Sequence, residues 1–261
     1  MSKDHLSKFF KYRSMSDGQV TDFVKQTVVD HRIYFAPPKT FNDPFELRPT
    51  FSMEAPAKEQ TKAYIRMAKK YAPEMNRASR RADASAMHKD PSRDPRNQQT
   101  LERFKATYDR KMRSEIGIYC VSTIADDILM WSHYANSHYG ICLEFDCNVP
   151  SFRNALEVSY AVERPCLNLY TDSQNPALDK SMLTKAAHWS YEKEWRLISY
   201  QSGPGLKSIE NSALTRIILG ANATVSTEKL IREWSAARAQ PVRLSKAVID
   251  GRRFALCIKD L

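Results

Sequence analysis

Leu244-Ser245-Lys246-Ala247-Val248-Ile249-Asp250-Gly251-Arg252-Arg253-Phe254-Ala255-Leu256-Cys257-Ile258 is the stretch whose reading settles the fold class. Two half-apolar runs flank Asp250-Gly251, a dipeptide suited to the turn of a β-hairpin. The chain therefore ends in an antiparallel pair. Working back, Ser226 can cap a helix running to about Ala237, and Thr215 to Leu219 is strand-like and closed by Gly220. Gly203-Pro204-Gly205 is a turn, Glu194 to Tyr200 a strand, and residues 176–190 a helix.

The first half has the same mixed order. Lys8 to Ser14 reads as a short strand, and Asp17 caps a helix with Val20, Phe23, Val24, Thr27 and Val28 on one face. Ile33 to Ala36 is a strand stopped by Pro37-Pro38. Ile116 to Ser122 is a strand, Asp126 or Asp127 caps a helix to about Asn136, and Gly140 to Phe145 and Leu156 to Tyr160 are strands. Regular strand–helix–strand repetition is missing, and so are the glycine-rich phosphate loops of doubly wound sheets. An α+β fold follows, with a mixed, largely antiparallel sheet core flanked by helices.

Length and composition bound the organisation. A chain of 261 residues with 42% hydrophobic content can bury a full core, and one domain over 1–261 is the simplest reading. Net charge is +10, and residues 51–115 alone hold 16 Lys+Arg against 9 Asp+Glu. Within that stretch Tyr64, Met67 and Tyr71, then Leu101, Phe104, Tyr108 and Met112, recur at helical spacing. His88 to Gln99 is polar, Pro-interrupted and expected to be a loop. The stretch reads as a basic helical insertion able to attract nucleic acid or an acidic protein.

Five cysteines without a C-x-x-C pair argue against a zinc site or a disulfide framework. No apolar run reaches the ~18 residues needed to cross a bilayer, and Met1 to Phe10 has no secretory pattern. A cytoplasmic protein without a membrane partner is expected.

Four segments carry candidate chemistry. Tyr12-Arg13-Ser14 ends a strand with a guanidinium that can clamp a phosphate or ribose. Phe41-Asn42-Asp43-Pro44-Phe45-Glu46 is a turn in which two aromatics frame an amide and two carboxylates, and Asn42 can form an Asx turn. Met130, His133 and Tyr134 share a helical face, where His133 and Tyr134 are suited to hydrogen bonding. His133 and His138 are spaced poorly for a metal pair, so no metal is expected. If Glu192 to Arg196 is extended, Glu192, Glu194 and Arg196 project from one face. Paired acids there suit ribose binding or general-base work.

Together these segments resemble a bacterial domain-of-unknown-function family. Its signature is matched by Lys11-Tyr12-Arg13, Phe41 to Glu46, Cys120-Val121-Ser122, Met130 to Ala135, His138-Tyr139-Gly140 and Trp189 to Arg196. The order also resembles the arginine–serine–glutamate class of ADP-ribosyltransferases, through Arg13, Ser122-Thr123 and Glu192-x-Glu194. Cys120 and Ile124 stand where that class has a further serine. The resemblance implies a split-sheet fold that takes NAD as substrate. Arg13 would hold an NAD phosphate or ribose, and Ser122 would support the pocket. Glu194 would bind the ribose 2′-hydroxyl and stabilise the transition state, and Glu192 would position the acceptor. Tyr12, Phe41 or Trp131 would stack on nicotinamide.

Such an enzyme would be a toxin or phage-defence effector, with the basic insertion gripping its target and a cognate inhibitor as a possible partner. It requires Arg13, Ser122 and Glu194 to line a common cleft. Two other readings stay open. One is a nuclease-like enzyme using His133, His138 and the acids, and the other is a non-catalytic module that senses a nucleotide.

Overall fold

In the strand Lys8–Arg13, Phe9 and Phe10 face opposite ways and both are buried. A strand apolar on both faces must lie inside a sheet covered on both sides. In the computed structural model, which describes residues 6–89, 98–168, 170 and 180–261, this strand is internal to an eight-stranded sheet. The sheet strands are labelled in chain order as β1 (Lys8–Arg13), β2 (Gly117–Ser122), β3 (Ile141–Asp146), β4 (Leu156–Glu157), β5 (Glu194–Ser199), β6 (Leu214–Leu219), β7 (Arg243–Ile249) and β8 (Leu256–Asp260). Their order across the sheet is β8-β7-β6-β3-β1-β2-β5-β4. Only β6 and β7 run parallel, so the sheet is mixed and mostly antiparallel, as the C-terminal hairpin predicts.

The chain forms two compact units. The first comprises residues 1–40, 115–160 and 187–261 and contains the eight-stranded sheet. One face packs Phe9, Tyr119, Leu143, Phe145 and Ile217 against Val24 and Val28 of the helix Gly18–Val29 and Ile231 of the helix Val225–Ala236. The other packs Phe10, Tyr12, Cys142 and Ile218 against Met130 and Trp131 of the helix Ile128–Tyr134. Asp17 and Asp127 cap their helices by accepting from the Val20 and Met130 amides at 3.0 and 2.8 Å.

The pairing of β1 is asymmetric. All six of its residues pair with β3, from Lys8↔Asp146 to Arg13↔Ile141. On its other side a single pair, Phe10↔Ser122, joins it to β2. Further along, β2 takes Ala36 as partner instead. Ala36 and Ile118 exchange two backbone hydrogen bonds, of 3.0 and 2.9 Å. Between Ser122 and Ile118 the edge of β2 changes partner, and the sheet parts around Cys120.

The second unit, residues 41–114 and 161–186, holds the basic stretch up to Ser114. It contains three helices (Ala57–Tyr71, Arg77–Lys89 and Gln98–Ser114) and a short parallel pair, Thr50–Ser52 with Cys166–Asn168. Tyr108 and Met112 are buried, and the Tyr108 hydroxyl meets the Ser181 hydroxyl at 2.5 Å. Of the loop expected over 88–99, only the ends are described, and both are helical. Residues 88–89 end one helix and 98–99 begin the next, while 90–97 lie outside the described residues.

Three local expectations need correcting. The cap of the helix Val225–Ala236 is Thr224, whose hydroxyl accepts from the Thr227 amide at 3.1 Å, and not Ser226. The C-terminal hairpin closes through residues 250–255 instead of a two-residue turn. The Asp250 carboxylate draws the chain out by accepting from the amides of both Arg252 and Arg253. Over 176–190, the part past Leu183 is a strand, Thr184–Ala186, followed by a 3-10 turn, Ala187–Glu192. Residues 176–179 lie outside the described residues.

Candidate active site at the parting of the sheet

β5 begins at Glu194, directly opposite Ser122, and Arg196 lies opposite Cys120. Alternation puts these four side chains on one sheet face. Glu194 and Arg196 form a bidentate pair, Nε to Oε1 at 2.7 Å and Nη2 to Oε2 at 3.2 Å. Glu194 is 4% exposed and Arg196 0%. The Glu194 amide donates to the Tyr160 hydroxyl at 2.8 Å. Burial, reinforced by the Glu194 carboxylate, raises the Cys120 thiol pKa far above its ordinary value, so this cysteine stays protonated.

Glu192 is not part of the strand. It ends the 3-10 turn, and Lys193 follows with φ 46°. This left-handed residue interrupts the expected alternation, yet Glu192 still turns inward and is 3% exposed. Its carboxylate accepts from the Tyr134 hydroxyl at 2.5 Å. Its backbone carbonyl accepts from the Ser122 hydroxyl at 2.6 Å, while Ser122 Oγ accepts from the Ile124 amide at 3.2 Å. Ser122 therefore ties β2 to the turn that carries Glu192.

On the β1 side of the parting lie two cations. Lys11 and Arg13 are both half-buried, and neither has an ion pair among the described residues. The Lys11 ammonium sits 5.1 Å from the centre of the Tyr119 ring. Burial first, then the Arg13 charge, lowers its pKa to about 8, while Cys120, Glu194 and Glu192 pull the other way. Burial also lowers the Arg13 pKa. On the β1 pleat, Arg13 belongs to the Tyr119 face and not to the face of Ser122 and Glu194. The three groups expected to line one cleft therefore flank the parting from opposite faces. Lys11 is a member that the sequence reading missed. The i, i+2 relation between Lys11 and Arg13 was the signal for it.

The other candidates have definite places. Tyr12 is buried and donates to the Ile124 carbonyl at 2.8 Å. Trp131 is fully buried and donates to the Ala125 carbonyl at 2.8 Å. Both rings face protein, so neither offers the stacking wall expected of it, and both instead anchor the loop after Ser122. Met130 is buried but His133 is exposed, so the shared helical face does not give a shared environment. His133 Nδ1 meets the Tyr191 hydroxyl at 2.9 Å. Phe41 and Asn42 open the second unit. The turn there is made by Asp43, whose carboxylate accepts from the Phe45 amide at 2.8 Å.

Behind the site, Asn136, Ser137 and His138 are all left-handed. Gly140 then passes so close to β1 that a Cβ would overlap the Arg13 carbonyl oxygen. The His-x-Gly spacing is thus a packing requirement that fixes the end of β1.

The chain matches no protein-family model, no curated protein and no solved structure. Among the described residues, no group of three His, Cys, Asp or Glu side chains is arranged to hold a metal, and no helix is long and apolar enough to cross a membrane.

Proposed function

We propose that the parting between β1 and β2 is the substrate site of an enzyme that transfers ADP-ribose from NAD. One observation carries the reading. Two half-buried cations, Lys11 and Arg13, have no ion pair among the described residues, and Lys11 stands within electrostatic reach of two buried carboxylates, Glu192 and Glu194. Unpaired cations at a partly desolvated position favour a multiply charged anion such as a diphosphate.

In this reading the single cleft gives way to a site that crosses the parting, because Arg13 lies on the opposite face from Ser122 and Glu194, and Lys11 and Arg13 hold the diphosphate. Cleavage of the ribose–nicotinamide bond leaves positive charge on the ribose and releases neutral nicotinamide. The fixed carboxylate of Glu194, held by Arg196, stabilises that charge. Glu192, held by Tyr134, directs the acceptor and takes its proton. The basic stretch of the second unit would attract a nucleic-acid or acidic-protein target, as a bacterial toxin or phage-defence effector requires.

The test is incubation with labelled NAD and cell extract, following nicotinamide release and the fate of the label. Glu194→Gln is expected to lower turnover by about 10²–10³, and Arg13→Ala to raise KM more than it lowers kcat. NAD left intact with every acceptor, or normal turnover in a folded Glu194→Gln protein, removes the reading. The Arg196 clasp on Glu194 supports one second reading, a nucleotide-sensing module. That predicts ADP or NAD binding without consumption.

A further inference from the structure

Beside Glu192 lies an aromatic group that the proposed transfer chemistry does not use. The helix Ile128–Tyr134 supplies His133, and the 3-10 turn Ala187–Glu192 supplies Trp189 and Tyr191. Their rings lie 6.0–6.4 Å apart: His133 to Tyr191 at 6.0 Å, Trp189 to Tyr191 at 6.1 Å and His133 to Trp189 at 6.4 Å. The hydrogen bond between His133 and Tyr191 fixes two of the three.

These rings differ from the core aromatics. His133 is exposed, and Trp189 and Tyr191 are half-buried, whereas Trp131, Phe145 and Phe152 are wholly buried. The turn interleaves its rings with the exposed polar residues His188 and Ser190, and the exposed Lys193 follows it. Lys193 is held at φ 46°, a conformation that a lysine seldom adopts. At the inner end, Tyr134 packs its ring 6.4 Å from His133 and donates to Glu192.

From this arrangement we infer that His133, Trp189 and Tyr191 form a stacking subsite for a nucleobase of a single-stranded nucleic acid, which is the acceptor of the proposed transfer. Aromatic faces interleaved with cations are the means by which proteins hold unpaired bases and their phosphates. The exposed Lys193, which follows the turn, supplies a cation for the phosphates of the strand. The assignment of the strand as acceptor rests on the transfer reading; the binding itself does not. A base seated on these rings adjoins Glu192, the group assigned to the acceptor.

The test is anisotropy of a labelled single-stranded oligothymidylate and oligoadenylate of about twelve nucleotides, the scale of known single-strand sites, on the full chain without NAD. Both are expected to bind, more weakly as salt rises. Trp189→Ala is expected to weaken binding at least tenfold and His133→Ala several-fold, while Tyr191→Phe, which keeps the ring, retains binding. Circular dichroism monitors the fold, and the exposed His133 provides a variant independent of the packing of Trp189. Wild-type affinity in both alanine variants overturns the inference. So does a duplex of equal length that binds as tightly, or a free mononucleotide that competes at the oligomer's own concentration. Because NAD is absent, these outcomes are separate from failure of the transfer reading. Binding without NAD consumption would leave the subsite standing and remove the enzyme.

Discussion

The Tyr134 hydroxyl donates to the Glu192 carboxylate at 2.5 Å across 58 positions of sequence. With the bond from Ser122 to the Glu192 backbone, it clamps the turn before β5 from two sides. Lys193, at φ 46°, is the kind of backbone outlier that persists only where the surroundings over-determine it.

Tyr134→Phe removes one side of this clamp. A buried carboxylate then loses a donor, at a cost of about 1–3 kcal/mol. Thermal unfolding is expected to move down by roughly 2–4 °C per kcal/mol for a chain of this size. An unchanged midpoint would mean that the hydroxyl does not hold Glu192.

Arg196→Met is expected to be more severe. Arg196 is 0% exposed and engages both oxygens of Glu194, so its loss leaves a buried charge without its main partner. Breaking such a pair costs about 3–5 kcal/mol. The Glu194→Gln/Arg196→Met double variant removes the charge as well and should recover part of the loss. Urea midpoints of the two proteins check this; a double variant no more stable than the single would show that charge burial is not the cause.

How much of this was legible in the chain varies by element. The strand Glu194–Ser199 and the helix after Asp17 could be read because burial and capping act through neighbours in sequence. The pairing of Phe10 with Ser122 alone could not be, since no local pattern says where a sheet edge changes partner. Glu192 illustrates the same limit. Alternation placed it beside Glu194, and the left-handed Lys193 broke that alternation. A hydrogen bond to a tyrosine far away in sequence nevertheless brought it back to the site.

Residue type also misled where burial decides use. Tyr12 and Trp131 look like ligand-stacking rings in sequence, but the loop carbonyls of Ile124 and Ala125 take their polar atoms and the core takes their faces. Trp189, in the segment read as a helix, and Tyr191 just beyond it are the more accessible rings.

Gly140→Ala should disturb the site from behind. The added Cβ overlaps the Arg13 carbonyl oxygen and approaches the Ala135 carbonyl at 2.9 Å. Backbone must move on one side, and overpacking of this kind costs about 1–3 kcal/mol. Because Arg13 ends β1, diphosphate binding should weaken along with stability. Calorimetric titration with ADP, run beside thermal unfolding, checks the coupling, and a loss of stability with unchanged ADP affinity would separate Gly140 from the site.

Lys11 gives the site a pH dependence of definite sign. Its pKa falls from the ordinary 10.5 to about 8 in the folded chain. Below pH 8 both folded and unfolded chains carry the charge, and the cost of burying it is fully present. Between 8 and 10.5 the folded chain sheds the proton first, so stability rises with pH over that window. Binding of the proposed diphosphate is expected to run the opposite way, because the deprotonated amine no longer attracts it. ADP affinity is expected to drop roughly tenfold between pH 7 and 9.5, which is ~1.4 kcal/mol. Lys11→Met should flatten this profile, bind ADP at pH 7 as weakly as the native chain does at 9.5, and unfold at a higher temperature at pH 7. A Lys11→Met protein with the native pH profile would show that the dependence arises elsewhere and that Lys11 does not touch the ligand.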